Sequence, residues 1–361
     1  IIHMNSVENA NCDTLISRSM AKKKSKLLKN RSVSPGDDAY IEAIRVVQGW
    51  RNQCVPATQK CFRIVMQCAQ SLGGAVATFR MKRVKSIVNK IQRPNTNFEL
   101  STLDDVGGCR LIVNNIDDVE KAKRFLTDHL ANIHILRTKD YINKPKGSGY
   151  RSCHILTQQE IDGIKYRIEI QIRTKLQHYW ATAIEVVDAL YGESIKSPNF
   201  IDSTEEEDVQ ELKDSLAIVS SLFALEEHTA PIPGTSSTEK QLLAQLSRSH
   251  SFKSVIDDMA EACSDVVELI VGDAESSEIF ILSFAKEDQF LLVKSYTPEQ
   301  LESALAKYAK LERTIETSNT TDNVVLVHAK GVEQLRLAYP NYSANTPEYV
   351  KKVRQYFALA Q

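Results

Sequence analysis

Lys165-Tyr-Arg-Ile-Glu-Ile-Gln-Ile-Arg-Thr174 is the segment from which the rest of the chain is read. Side chains of an extended strand alternate between two faces. Tyr166, Ile168, Ile170 and Ile172 therefore fall on one face, and Arg167, Glu169, Gln171 and Arg173 on the other. Strict alternation through a β-branched run predicts a strand with one wholly apolar face and one wholly polar face. Such a strand lies between a core and either water or a site. Water is the ordinary neighbour, but Glu and Gln flanked by two Arg is also what a metal-and-phosphate site needs.

Upstream, Ile161-Asp162-Gly163 predicts a hairpin turn, with Ser152 to Thr157 as the preceding strand. Before that comes Lys139-Asp-Tyr-Ile-Asn-Lys-Pro-Lys-Gly-Ser-Gly-Tyr-Arg-Ser-Cys-His154. Pro145, Gly147 and Gly149 argue for a loop. Glycines let backbone N–H groups approach an anion, Lys144, Lys146 and Arg151 supply charge, and Tyr150 offers a ring for a base to stack on. The alternative is a solvated basic loop.

Five further segments complete this region. Ala75 to Arg80 reads as a short strand, and Lys82, Ser86 and Lys90 share one face if the next segment is helical. Three such groups near a helix start suit a polyphosphate, although a plain basic helix surface has the same pattern. Asp104-Asp-Val-Gly-Gly-Cys-Arg-Leu-Ile-Val113 is a glycine-bearing turn entering a strand. Asp117 to Leu130 predicts an amphipathic helix capped by Asp117-Asp118, and Ile133 to Leu136 a strand.

The flanking sequence is less chemical. Residues 1–36 form a polar segment with the basic run Lys22 to Arg31, which reads as a solvated helix or a nucleic-acid contact. Helical spacing runs from Tyr40 to about Gln70, broken near Val55-Pro56. Cys54, Cys61 and Cys68 recur every seven residues with no histidine among them, so they read as core filling rather than metal ligands. Residues Leu176 to about Tyr191 predict a helix carrying Gln177, His178, Trp180 and Glu185, and another helix follows the acidic stretch Ser203 to Asp208. Residues 229–237 read as a linker. Beyond it, one helix from Glu239 to about Leu269, strands at 278–284, 290–295 and 323–328, and helices at 298–317, 331–339 and 347–359 suggest a smaller α+β module.

Composition bounds the class. The chain of 361 residues is 42% hydrophobic, with a formal net charge of −1, so any nucleic-acid contact must come from local patches. No apolar run reaches the roughly 18 residues that cross a bilayer. Seven scattered cysteines and no hydrophobic leader lead us to expect a reduced, cytoplasmic protein. Ile1-Ile2-His3 ahead of Met4 reads as added sequence.

In order along the chain, Arg80-x-Lys82-x-x-x-Ser86-Ile-x-x-Lys90, Asp105-x-x-Gly-x-Arg110, the Lys139–His154 loop and Glu169-Ile-Gln-Ile-Arg-Thr174 resemble the synthetase domain of the RelA/SpoT family. The resemblance covers about residues 75 to 195. It implies an α+β fold, a nucleotidyltransferase-like mixed sheet flanked by helices, in a synthetase domain over 37–228. It also implies transfer of the β,γ-diphosphate of ATP to the 3′-hydroxyl of a guanine nucleotide, GDP or GTP. By position, Arg80 and Arg110 would flank adenine, while Lys82, Ser86 and Lys90 would hold the ATP phosphates. Asp105 and Glu169 would be catalytic and hold Mg²⁺. Tyr150 would stack on the acceptor base, with Lys139, Lys146, Arg151, His154, Gln171 and Arg173 on the acceptor side. Gln177-His-Tyr-Trp-Ala-Thr-Ala-x-Glu185 resembles the stand-alone members, and no upstream hydrolase domain or ribosome-associated regulatory tail is expected. The resemblance leaves residues 238–361 without a role and leaves homo-oligomerisation open. Three alternatives to the guanine acceptor stand: the 3′ end of tRNA, with the Lys22–Arg31 run, Arg83, Lys85 and Arg93 on its backbone; an adenine acceptor, giving (p)ppApp; and an inactive nucleotide sensor.

Overall fold

The computed structural model describes residues 15–30, 33–130, 133–191, 206–261, 267–273, 277–285, 290–318, 323–331, 334–335 and 347–360. The expected helix from 331 to 339 falls mostly outside these residues, as do Arg31 and residues 203–205.

One mixed sheet organises them. Its strands are β1 (Val76–Met81), β2 (Gly107–Val113), β3 (His134–Asp140), β4 (Cys153–Ile161), β5 (Ile164–Thr174), β6 (Val267–Val271), β7 (Ile279–Ala285), β8 (Phe290–Tyr296) and β9 (Asn323–His328), in the order β3-β4-β5-β2-β1-β9-β7-β8-β6. The pairs β2/β5 and β6/β8 are parallel and the others antiparallel. The β4–β5 hairpin turns through Asp162 and Gly163, both at positive φ (51° and 74°), as a two-residue turn of primed type requires.

The apolar face of β5 is the one alternation predicts, with Tyr166, Ile168, Ile170 and Ile172 all buried. It joins Leu111, Val113, Ala77 and Phe79 from β2 and β1 in one core with α2 (Asp38–Gln53), α3 (Val55–Leu72) and α5 (Ile116–His129). Helix α1 (Arg18–Lys29) also packs on this core, through Ala21 and Leu28. Cys54, Cys61 and Cys68 are free and buried there, as core filling. Burial pushes the Cys61 thiol up to about 11 and that of Cys68 to about 12, so both stay protonated and inert.

Boundaries moved where tertiary partners intervene. The cap of α5 is Asn115, whose side chain accepts from Asp118 N at 2.9 Å, rather than the aspartate pair. The strand expected at 133–136 continues to Asp140, so Lys139 belongs to β3 and the loop begins after it. The single helix expected from Glu239 to Leu269 is α8 (Glu239–Leu246), α9 (His250–Glu261) and β6. Ser249 interrupts it. Its hydroxyl and the backbone N–H of Ser251 both donate to Glu211 Oε1, at 2.7 and 3.1 Å, so a carboxylate from the neighbouring helix starts α9. The β-branched Val267–Val271 then pairs with β8 instead of continuing the helix.

A second core gathers α6 (Lys175–Tyr191), α7 (Glu206–Glu226), α8, α9 and the last helix, α11 (Pro347–Leu359), around Trp180, Leu216, Phe223, Phe252, Tyr349 and Val353. The strands beyond the 229–237 segment extend the same sheet: β9 lies antiparallel to β1, with Phe79 opposite Leu326. Helix α10 (Leu301–Ser318) packs on β9 and β7. No helix among the described residues is long and apolar enough to cross a membrane.

Candidate active site

The polar face of β5 is not a wet surface. Strand register sets Thr78, Arg110, Gln171, His154 and Lys139 opposite one another across β1, β2, β5, β4 and β3. A neighbouring row holds Arg80, Gly108, Glu169, Leu156 and Arg137. Gly108 contributes no side chain between Arg80 and Glu169. A small cavity of about 100 Å³ opens there, lined by Arg80, Lys82, Asp105, Arg110, Glu169 and Gln171.

On one side of this opening, Asp105 Oδ2 accepts from Lys82 Nζ at 3.0 Å and Lys90 Nζ at 2.7 Å. Lys82 stands just ahead of α4 (Val84–Ile91), exposed Ser86 lies in its first turn, and Lys90 in its last. Burial pushes the Asp105 carboxyl up, but the two ammonium groups outweigh it and hold it at about 2. Its other oxygen, Oδ1, is buried with no hydrogen-bond partner. An ionised carboxylate with one oxygen unsatisfied is a ready donor to a hard cation. Glu169 lines the same opening, so two carboxylates face it. Among the described residues no group of three or more His, Cys, Asp or Glu forms an all-protein metal cage. A pair of carboxylates leaves room for substrate oxygens and water, which suits Mg²⁺.

On the other side, five side chains close a ring. Arg173 donates to Tyr150 Oη at 2.5 Å and to Gln171 Oε1 at 3.0 Å. Gln171 Nε2 donates to Glu169 Oε2 at 2.6 Å, and His154 Nδ1 lies 2.9 Å from Glu169 Oε1. Tyr150 Oη closes the ring on His154 Nε2 at 2.8 Å. A carboxylate only accepts, so His154 donates to Glu169 from Nδ1–H, and its Nε2 lies against the Tyr150 hydroxyl. Burial pushes the Glu169 carboxyl up, and hydrogen bonds from His154 and Gln171 more than reverse this, leaving it below the ordinary carboxylate value. Arg110 Nε reaches the same Gln171 oxygen at 3.5 Å.

Tyr150 sits between this ring and a larger cavity of about 620 Å³, lined among others by Lys146, Arg173, Trp180, Ile184 and Glu185. The volume and the mix of apolar walls with a few charges suit a nucleoside. Lys146 Nζ lies 4.4 Å over the Tyr141 ring and 5.0 Å over that of Tyr150. Gly149 has φ of +95°, and a Cβ there would meet Trp180 Cζ2 at 2.5 Å, so the loop needs glycine on both counts.

Most of the expected residues are thus assembled, but Arg151 is not. It is 2% exposed and turned away, donating to Ser220 Oγ (3.1 Å), Ile142 O (3.1 Å) and Ala230 O (2.6 Å). Ser220 Oγ also donates to Gly149 O at 2.6 Å. Arg151 therefore fixes the loop beneath Tyr150. Arg151→Met is expected to cost roughly 3 kcal/mol by stranding its buried partners and to raise acceptor KM by loosening Tyr150. Urea melts and a KM split test this; a rise in ATP KM alone would contradict it.

Lys139 is also placed differently, 4.0 Å from Asp104, which accepts from Arg137 at 2.5 Å and Arg167 at 3.2 Å. Sequence reasoning missed this Asp104 cluster, as well as Tyr141 beneath Lys146. The signal for Tyr141 was its place in the basic loop; Asp104 had only its neighbour Asp105.

Residues 79–194 match the family described as "Region found in RelA / SpoT proteins". The chain is 30% identical over 155 residues to the GTP pyrophosphokinase YwaC of Bacillus subtilis, covering 38% of this chain and 73% of that protein. This chain belongs to the RelA/SpoT family and is a synthetase of it. It is also 33% identical over 123 residues to the GTP pyrophosphokinase YjbM of the same organism, covering 33% of this chain and 58% of that one. Among solved structures, the small alarmone synthetase 1 of Bacillus subtilis bound to its product pppGpp aligns at 26% identity with a TM-score of 0.33, covering 42% of this chain and 73% of that chain.

Proposed function

We propose that this RelA/SpoT synthetase transfers the β,γ-diphosphate of ATP to the 3′-hydroxyl of GDP or GTP, making (p)ppGpp-type alarmones. The observation that carries the reading is the Gly108 opening, with the Lys82–Asp105–Lys90 cluster on one side and the Glu169–His154–Tyr150 ring on the other. Arg80 and Arg110 flank adenine, since guanidinium planes stack well on a base. Lys82, Lys90 and Ser86 hold the triphosphate. The acceptor base enters the larger cavity against Tyr150, with Lys146 and Arg173 beside its phosphates. Glu169, kept ionised by His154 and Gln171, accepts the proton of the attacking 3′-hydroxyl. Asp105 and Glu169 would hold Mg²⁺, which when bound neutralises charge on the transferred group. Positioning and charge do the rest.

The test offers the full chain labelled ATP and Mg²⁺ with GDP, GTP, ATP or deacylated tRNA in turn. Label on GDP or GTP is expected; label confined to tRNA or ATP overturns the guanine acceptor, and label on none overturns the enzyme. Tyr150→Ala should raise acceptor KM about tenfold and leave ATP KM within about twofold, because stacking on an aromatic ring contributes roughly 1–3 kcal/mol. An effect on ATP alone would reassign the ring.

A further inference from the structure

Lys82 depends on residues more than 200 positions away. Strand β9 pairs with β1 only as far as Phe79, so the Met81 N–H on that edge has no strand to meet. Tyr308 of α10 takes it: Met81 N donates to Tyr308 Oη at 3.2 Å. Tyr308 Oη donates to Glu312 Oε1 at 2.5 Å, one turn along the same helix face. Glu312 Oε2 accepts from Arg51 of α2 at 2.5 Å, and Arg51 Nε donates to Lys82 O at 2.7 Å. Lys82 N in turn donates to Val106 O at 2.8 Å, on the connection that carries Asp105. Both backbone polar groups of Lys82 are held this way. Tyr308, Glu312 and Arg51 are all buried, and the Tyr308 ring packs 4.8 Å from that of Phe79. A buried ion pair is costly to break, and its hydrogen bonds are directional. Helices α10 and α2 thus grip the β1–α4 connection from behind while the Lys82 side chain faces the cavity.

We infer that Tyr308 and Glu312 are positioning residues for the donor phosphates: the C-terminal half, through Arg51, sets the backbone from which Lys82 reaches the ATP triphosphate. This rests on the reading of Lys82 as a donor-phosphate residue.

Tyr308→Phe keeps the ring and removes the hydroxyl, and Glu312→Gln keeps the shape and removes the charge. Each is made in the full chain, with Glu302→Gln as a control. Glu302 is on the same helix and makes an exposed pair with Arg63 at 2.7 Å. ATP KM, acceptor KM and ATP affinity by calorimetry are measured for all. Both test variants should raise ATP KM and Kd about fivefold or more, with acceptor KM within about twofold and the control unchanged. A role in stability alone would lower the melting temperature without separating the two KM values. Unchanged ATP affinity, or a proportional rise in both KM values, overturns the inference. If the unaltered chain transfers to no acceptor, the functional reading fails while calorimetry still decides the clamp: weaker ATP binding supports it and equal binding overturns it.

Discussion

Glu169→Gln is expected to lower kcat by about 10³-fold while ATP affinity stays within about threefold. The substitution is nearly isosteric, so packing is preserved and the loss is electronic. Both Glu169 oxygens face donors, His154 Nδ1 on one side and Gln171 Nε2 on the other. A carboxylate satisfies both; an amide has one acceptor and must set its NH₂ against a donor. Turning Gln171 to relieve the conflict would point its NH₂ at Arg173 and Arg110, which both use its oxygen now. Only a switch of His154 to its Nε2–H tautomer, with Tyr150 Oη accepting from it, satisfies the amide, and in that arrangement too the acceptor hydroxyl loses its base. Single-turnover transfer with ATP titrated separately measures both quantities. Turnover within about tenfold of the unaltered chain would remove Glu169 from proton transfer.

Asp105→Asn should act on the other side of the opening. It removes a carboxylate that neutralises Lys82 and Lys90 and that presents the unpaired Oδ1. Activity is expected to fall by roughly 10²-fold, with a higher Mg²⁺ concentration at half-maximal rate. ATP binding without Mg²⁺ should hold or strengthen, since both lysines are released to the phosphates. Unaltered Mg²⁺ dependence would refute the metal role. A pH readout is independent of activity. The folded-state pKa of Asp105 is depressed from 3.8 to about 2. Its ionisation therefore stabilises the fold fully above about pH 4 and loses that contribution as pH falls towards 2. The stability difference between Asp105→Asn and the unaltered chain, on the order of 2 kcal/mol at neutral pH, should shrink as pH falls from about 4 to about 2. A constant difference would mean the lysines do not set the carboxylate.

Much of this site is readable in one dimension because its chemistry sits on short periodic elements. A strand with period two places Glu169, Gln171 and Arg173 on one face whatever the rest of the chain does. A helix with 3.6 residues per turn does the same for Ser86 and Lys90. Register across the sheet was not readable. That Gln171 stands between Arg110 and His154 follows from pairing over dozens of residues. So does the gap at Gly108 beside Glu169.

Arg151 shows where residue type misleads. In a basic loop it reads as a phosphate ligand, yet it lies under the loop, bonded to α7 and the segment after it, while Lys146, five residues earlier, faces the cavity. Local pattern does not say on which side of an irregular loop a cation lies. The helix expected from Glu239 to Leu269 failed for a related reason: the Glu211 carboxylate and the open edge of β8 supplied partners that propensity cannot see.

By itself, the sequence determined the α+β class, the two-faced strand β5, the hairpin at Asp162-Gly163 and the identity of the charged groups, because alternation and turn chemistry are local. Only the tertiary structure decided that the polar face lines a cavity and is not a wet surface. It alone closed the ring from Arg173 to Glu169, turned Arg151 inward and brought Tyr308 and Glu312 to the backbone of Lys82. Those are hydrogen bonds and ion pairs between residues far apart in the chain, and their partners are set by packing rather than by neighbouring residues.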